Sequence, residues 1–452
     1  MSLPEARILP RAQHRISRQD IDPDALKVLN RLYRYGYQSY LVGGAVRDLL
    51  MGRRPKDYDI GTDAEPAEVL ELFRNSRVIG RRFPIVHVLF ARKKFIEVAT
   101  FRSLEEESEN GDELPSDPDS VEEEQRLLEE ADVLLDESSE PPPDRPRKRR
   151  RPSPLEIAAT QDYGTPAEDA LRRDLTVNGL FYDISDFSVI DYVGGLDDLS
   201  EGIIRAIGDP MIRFEEDPVR MLRAVRHASR MDFSIEDKTL EAIDHHQNLL
   251  GVCNRARLIE EFYRDLRGGA AVPTFKLLKE TGLLGELLPE LDTLLPPESV
   301  DPLPWRRLAV LDRDIQAGEE ISNSVLLAML MTFPMVRYLD RSGQEARRRT
   351  DYGREAYRYL KPLTSKLGVS RRDNEQLFLI SIAQRRMRPF LEGGAVPRFL
   401  ERKDYFSDAF RLLSMDAEAR GQEVPPLIFT TGNQRRRSGR RRRRSGRRHR
   451  ES

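Results

Sequence analysis

Residues 41–63 read LVGGAVRDLLMGRRPKDYDIGTD, and this stretch decides the fold. An apolar run through Leu41 and Val42 stops at Gly43 and Gly44, and Ala45 to Leu50 then has the pattern of a helix. A strand that runs through glycines into a helix N-terminus leaves backbone N–H groups and the positive end of a dipole facing outward, which suits a phosphate. Arg47, one turn in, is placed to add a bidentate donor. Asp57 and Asp59 follow at a spacing of two, so in a strand their carboxylates share a face while Tyr58 and Ile60 take the other. Adjacent carboxylates repel unless a cation lies between them, and Mg²⁺ prefers such oxygen ligands together with substrate phosphates. The bland alternative is a turn with two solvated acids, and the glycine turn just upstream argues against it.

Three further stretches extend this pattern: RRDLTVNGLFYD at 172–183, DYVGGLDDL at 191–199 and RFEEDPVRMLRAVR at 213–226. Together with 41–63 they resemble, in order, the motifs of class II nucleotidyltransferases of the DNA polymerase β superfamily, the group containing tRNA CCA-adding enzymes and bacterial poly(A) polymerases. The resemblance covers residues 7 to 290 densely and reaches about 420 more loosely. Within the group, ILPRAQHRISRQDIDPDALKVLNRL (8–32), FRNSRVIGRRFPIVHVLF (73–90), FIEVATFRS (95–103) and FLERKDYFSDAFRLLSMDAEA (399–419) are more similar to the poly(A) polymerase branch. Gly179 departs from the pattern, standing where a larger or hydroxylated residue is usual. The segment after Arg102 is also longer and more acidic than the family's.

Composition fits independently. A chain of 452 residues exceeds one compact core and implies two to four domains. The single cysteine, Cys253, excludes a disulfide framework and a cysteine zinc site, and reads as a small core residue of a reducing compartment. MSLPEARILPR has no signal-peptide apolar region, and the longest apolar stretch, Val325 to Val336, is too short to cross a bilayer. A cytoplasmic protein without a membrane partner is expected.

Charge is segregated. Residues 104–140 are crowded with Glu and Asp, PPPDRPRKRRRP at 141–152 turns basic, and few large apolar residues interrupt either run. Such a segment cannot bury enough surface to offset its ordering entropy, so 104–158 is expected to be a disordered insertion. The C-terminal QRRRSGRRRRRSGRRHRES (434–452) holds eleven arginines; without them and Glu451 the chain would carry −13 rather than −3. Arg435, Arg436, Arg437, Arg440, Arg441, Arg442, Arg443 and Arg444 suit unspecific contact with RNA phosphates.

Periodicity gives helices over Ala25–Tyr35 and Pro66–Phe73. It gives strands over Tyr37–Val42, Tyr58–Ile60 and Val189–Val193, and a hairpin of Ile85–Phe90 with Lys94–Thr100. Beyond about Pro210 the chain reads as helical. The expected class is α+β: a small mixed-sheet nucleotidyltransferase head, then an all-helical neck, body and C-terminal region, with the disordered acidic insertion and Arg-rich tail. The expected boundaries are an N-terminal extension and helix (1–35), the head (36–208), a nucleotide- and RNA-binding neck (209–275), the body with a C-terminal RNA-binding region (276–430), and the tail (431–452).

Asp217 before Pro218 reads as an N-cap carboxylate with proline in the first turn. At about 100° per residue, Arg220, Arg223, Arg226 and Arg230 share roughly a third of that helix's circumference, opposite Met221, Leu222, Ala224, Val225 and Ala228. A packed face and an outward row of guanidiniums are expected. Glu97, alternating with Ile96 and Val98, is expected to face the cleft as a third carboxylate. His87 reads as a structural strand histidine rather than a general base.

The resemblance implies roles. Asp57 and Asp59 would hold two Mg²⁺ ions, one activating the attacking hydroxyl and the other steadying the leaving oxygens. Gly43, Gly44 and Arg47 would bind the triphosphate. Arg172, Arg173 and Asp174 would touch triphosphate and ribose, with Asn178 orienting them. In the CCA-adding branch, residues matching Asp217 and Arg220 bind the base edge; Arg223 and Arg226 extend that surface here. ATP and RNA 3′ ends are the expected substrates, in RNA polyadenylation and mRNA processing and decay. RNA-decay proteins are a partner class that the resemblance raises and the residues do not read out. The alternatives are CCA addition to tRNA and, from another class, a non-catalytic RNA-binding protein.

Overall fold

A computed structural model of the chain describes residues 3–80, 84–91, 94–104, 163–342 and 349–429. The expected insertion (from residue 105), most of the 91–93 turn and the arginine-rich tail lie outside the described residues. Two compact units emerge: one runs to Glu320 and includes Lys361–Ser370, the other comprises Ile321–Leu360 and the chain from Arg371.

The first unit begins with an eight-stranded sheet. Its strands are β1 (Arg7–Leu9), β2 (Ser39–Val42), β3 (Asp59–Thr62), β4 (Ser76–Ile79), β5 (Ile85–Phe90), β6 (Lys94–Thr100), β7 (Leu180–Asp183) and β8 (Val189–Asp191), in the spatial order β1-β8-β7-β2-β3-β6-β5-β4. All neighbours are antiparallel except β3 and β6, which run parallel with Asp59 opposite Glu97. The sheet is therefore mixed, as expected.

Helices α1 (Pro23–Arg34), α2 (Gly44–Leu50) and α3 (Pro66–Leu72) follow β1, β2 and β3 in turn. Helix α1 starts where the Asp22 carboxylate accepts from the Asp24 and Ala25 N–H groups, with Pro23 in the first turn. Its Ala25, Val28, Leu29 and Leu32 join Leu41, Ile60, Val86, Val98 and Tyr182 in the main core. On the opposite face a smaller cluster of Val42, Phe101, Ala170, Phe181 and Ile190 packs. Val42 pairs with both Asp59 and Phe181, so this second face carries the acidic residues.

Helices α4 (Pro166–Arg172) and α5 (Gly195–Glu201) flank the 172–183 motif. The Asp191 carboxylate accepts from the N–H groups of Val193, Gly194, Gly195 and Leu196, closing the turn into α5. A Cβ on Gly195 would sit 2.1 Å from the Thr176 carbonyl oxygen, and Thr176 Oγ1 donates to Asp198 at 2.6 Å. The DYVGGLDDL motif thus braces the 174–178 turn from behind. Gly179 has its own reason: a Cβ there would lie 2.5 Å from Val193 Cγ2.

Helices then dominate: α6 (Pro210–Glu216), α7 (Val219–Met231), α8 (Asp237–His246), α9 (Arg255–Arg267), α10 (Ala271–Glu280), α11 (Leu283–Leu287), α12 (Pro289–Leu294) and α13 (Leu303–Gln316). Two short strands, β9 (Ile203–Ile204) and β10 (Ser234–Ile235), pair in parallel beside them. In the second unit α14 (Asn323–Ser342) packs on α16 (Arg371–Leu391) and α18 (Phe406–Ala419); α17 (Arg398–Glu401) also belongs to it, as does α15 (Arg349–Leu367) up to Leu360. Among its buried polar groups, Thr332 pairs with Ser381 at 2.6 Å, and the Gln384 amide nitrogen donates to the Ala409 carbonyl at 2.9 Å. No helix among the described residues is long and apolar enough to cross a membrane.

Candidate active site

The site forms where β2, β3 and β7 present their ends together. Gly43 holds φ +68° and ψ −133°, a conformation open only to glycine, and its N–H donates to the Leu180 carbonyl at 3.0 Å. That bond removes the Gly43 N–H from phosphate binding. The first bonds of α2, from Val46 and Arg47 to the Gly43 carbonyl, leave the Gly44 and Ala45 N–H groups without a partner inside the helix. A Cβ on Gly43 would also stand 2.9 Å from Arg173 Nη1, which would have to shift, whereas one on Gly44 would meet Arg47 Nη2 at an ordinary 3.4 Å.

Arg47 has a different setting from the one expected. Rather than reaching outward, its guanidinium is buried, donating to Asp48 at 2.7 and 2.9 Å and to Asn178 Oδ1 at 2.6 Å. Arg173 lies over the Phe181 ring at 5.3 Å and pairs with Asp169 at 2.9 Å. Arg172 turns away and donates to the Ser103 carbonyl. Asp174 is half-buried, its side chain 8% exposed, with Arg223 Nε 2.9 Å away. Burial works to raise its pKa, yet Arg223 foremost, with the Asn178 amide, outweighs burial and holds the carboxyl well below the usual range.

Asp57 and Asp59 are exposed on either side of buried Tyr58, so the pair does share a face, although the regular strand starts only at Asp59. The Asp59 pKa is pushed up to about 6, by burial first and then by Glu97 and Asp57, against the opposing pull of Arg173. Glu97, its parallel partner, also faces His87 across β5, with Nε2 to Oε1 at 3.3 Å, and the His87 ring stacks on Phe95 at 4.2 Å.

These donors are hard oxygens that repel one another, which fits a divalent cation. Among the described residues no three His, Cys, Asp or Glu side chains converge tightly enough to hold a metal by themselves. An ion here would take its remaining oxygens from water and nucleotide phosphates, as Mg²⁺ does.

Helix α7 corrects the expected guanidinium row. Arg226 is buried rather than outward, with Nη2 2.5 Å from Glu261 and Nη1 3.0 Å from Asp265 on α9. The Asp217 carboxylate does accept from the Val219 N–H at 3.3 Å, but it ends α6 and its other oxygen binds Arg257 at 2.7 Å. Arg220 lies 3.9 Å from that carboxylate and 3.6 Å from Glu216. His227, which the sequence reading passed over, lies between Arg47 and Asn178 at 3.3 and 3.4 Å. At about 100° per residue it falls within the same arc as Arg220 and Arg223, so the helical wheel carried the signal. Burial first, then Arg47, lowers its pKa well below the ordinary value.

Comparison with known proteins matches residues 39–205 to the family model described as "Poly A polymerase head domain". Residues 232–295 match the one described as "Probable RNA and SrmB- binding site of polymerase A". The chain is 39% identical over 347 residues to poly(A) polymerase I of Salmonella typhi, covering 76% of this chain and 67% of that protein. It is 31% identical over 442 residues to poly(A) polymerase I of Haemophilus influenzae, covering 95% and 89%. The solved CCA-adding enzyme of Bacillus stearothermophilus in complex with CTP shares the fold at TM-score 0.53 and 22% identity, over 89% of this chain and 82% of that one.

Proposed function

The chain belongs to the poly(A) polymerase family of nucleotidyltransferases, and on that premise we propose that it adds AMP from ATP to RNA 3′ ends without a template. The observation that carries the reading is the acidic wall of Asp57, Asp59 and Glu97 on the sheet face that ends at the Gly43–Gly44 turn. In-line displacement on a triphosphate needs those two features side by side: a hard-cation site and a nucleotide cradle.

Asp57 and Asp59 would hold two Mg²⁺ ions, with Glu97 beside them. When bound, Mg²⁺ supplies charge neutralisation at the phosphates and lowers the pKa of a coordinated hydroxyl. The chain's own groups do the rest. Gly44 and Ala45 present N–H groups toward the triphosphate, and Arg173 stands beside Gly43 as the nearest guanidinium. Arg47 shapes this cradle from within by gripping Asn178. Asp174, held ionised by Arg223, accepts from ribose hydroxyls and so favours ATP over dATP. Arg220 with Asp217 stands near the base, while Arg172 and Arg226 act through the surrounding fold. Arg435–Arg437 and Arg440–Arg444 add unspecific grip on RNA.

Purified chain offered ATP alone, CTP alone or both, on unstructured RNA and on tRNA lacking its end, tests this. Long A tracts made from ATP alone are expected. CTP-dependent addition that stops after three nucleotides would move the chain to CCA addition. Equal incorporation by wild type and an Asp57→Ala, Asp59→Ala variant would leave only a binding protein.

A further inference from the structure

Three segments far apart in sequence meet at His227: α2 through Arg47, the 174–178 turn through Asn178, and α7, which carries the ring itself. Arg47 Nη1 lies 3.3 Å from His227 Nδ1. A guanidinium can only donate, so Nδ1 is the acceptor and the neutral ring carries its proton on Nε2. Arg47 Nη1 also donates to Asn178 Oδ1 at 2.6 Å, which commits that oxygen and leaves the Asn178 Nδ2 as a donor. Two donors then face each other across 3.4 Å between His227 and Asn178, so the ring does not hold Asn178 by a bond of its own. Its hold runs through Arg47.

We propose that His227 is a positioning residue for the nucleotide: its Nδ1 acceptor fixes the Arg47 guanidinium, and through it Asn178, against α7. The consequence reaches the sugar site by a short path. Asn178 sits four residues from Asp174, and Asp174 is paired with Arg223, one helical turn from His227 on the same face of α7. A ring that sets Arg47 therefore keeps the 174–178 turn and α7 in a single register. Burial and the neighbouring Arg47 both disfavour a second proton on the ring, which agrees with an acceptor role. This inference rests on the nucleotide-addition reading above, since it concerns how that site is held.

Two variants separate the hydrogen bond from mere bulk. His227→Phe keeps a flat ring of similar size without an acceptor, whereas His227→Asn keeps an acceptor oxygen on a shorter side chain. Losing a bond to a charged donor predicts an ATP KM raised about tenfold in His227→Phe with kcat within about twofold, and most of the loss recovered in His227→Asn. An unchanged ATP KM in His227→Phe, or equal rises in both variants, would overturn the proposal. Nitrogen-15 spectra of histidine-labelled full-length chain give a readout that needs no activity. The histidine signal that is lost in His227→Phe should show an unprotonated Nδ1 and a protonated Nε2 in the wild type. A protonated Nδ1 at His227 would overturn the assignment. Should the wild type add no nucleotide to RNA, the functional reading falls, while direct ATP titration and the ring tautomer still decide this one.

Discussion

Replacing Arg226 by methionine asks whether this arginine belongs to the nucleotide or to the fold. Arg226 is 5% exposed, and its guanidinium bridges Glu261 and Asp265, both essentially buried. Methionine keeps much of the volume, so the loss is chiefly the cation. Removing one partner of a buried ion pair costs about 3–5 kcal/mol, because the other charge stays behind unpaired. Glu261 would keep Arg264 at 2.7 Å, but Asp265 already has a buried oxygen without a hydrogen bond. The lower end, about 3 kcal/mol at pH 7, is therefore expected, against a total stability of about 5–15 kcal/mol.

The penalty should depend on pH with a definite sign. Burial, with Glu261 adding, pushes Asp265 up to about 7 even beside Arg226. A carboxyl whose folded pKa exceeds its unfolded value contributes stability that is complete in acid and is lost as pH climbs toward the folded pKa. In wild type that loss ends near pH 7. Without Arg226 the folded pKa rises further, so the loss continues above pH 7 at up to about 1.4 kcal/mol per pH unit. Urea unfolding followed through Trp305, the single tryptophan and a buried residue of the same unit, at pH 5.5, 7 and 8.5 measures the gap. A gap below about 1 kcal/mol at pH 8.5, or one that ignores pH, refutes the reasoning. Unchanged stability with a raised ATP KM would return Arg226 to the nucleotide.

Gly43→Ala forces a side chain into φ +68° and against Arg173 at 2.9 Å, so it should cost about 1–2 kcal/mol and lower kcat/KM for ATP at least tenfold. Denaturation and steady-state kinetics equal to wild type would show that the turn tolerates a Cβ. Deleting residues 434–452 should weaken RNA binding and flatten the slope of log affinity against log salt, leaving single-nucleotide addition nearly intact; an unaltered slope would exclude phosphate contact.

The sequence by itself determined the mixed head and helical continuation, because those depend on local signals. Apolar alternation marked β5 and β6, apolar periodicity from Ala25 marked α1, and glycines marked the turn into α2. Spacing alone put Asp57 and Asp59 on one face, since side chains alternate in extended backbone whatever surrounds them. Tertiary structure decided what each arginine does. A helical wheel shows that Arg220, Arg223, Arg226 and His227 lie on one arc, but not which neighbour lies opposite each. Glu261 and Asp265, some forty residues on, drew Arg226 inward, and Arg257 took the Asp217 carboxylate. Arg47 looked like an outward donor until Asn178 and His227, 131 and 180 residues away, closed around it. A buried guanidinium must find its partners wherever folding places them, and that choice depends on contacts no local window contains.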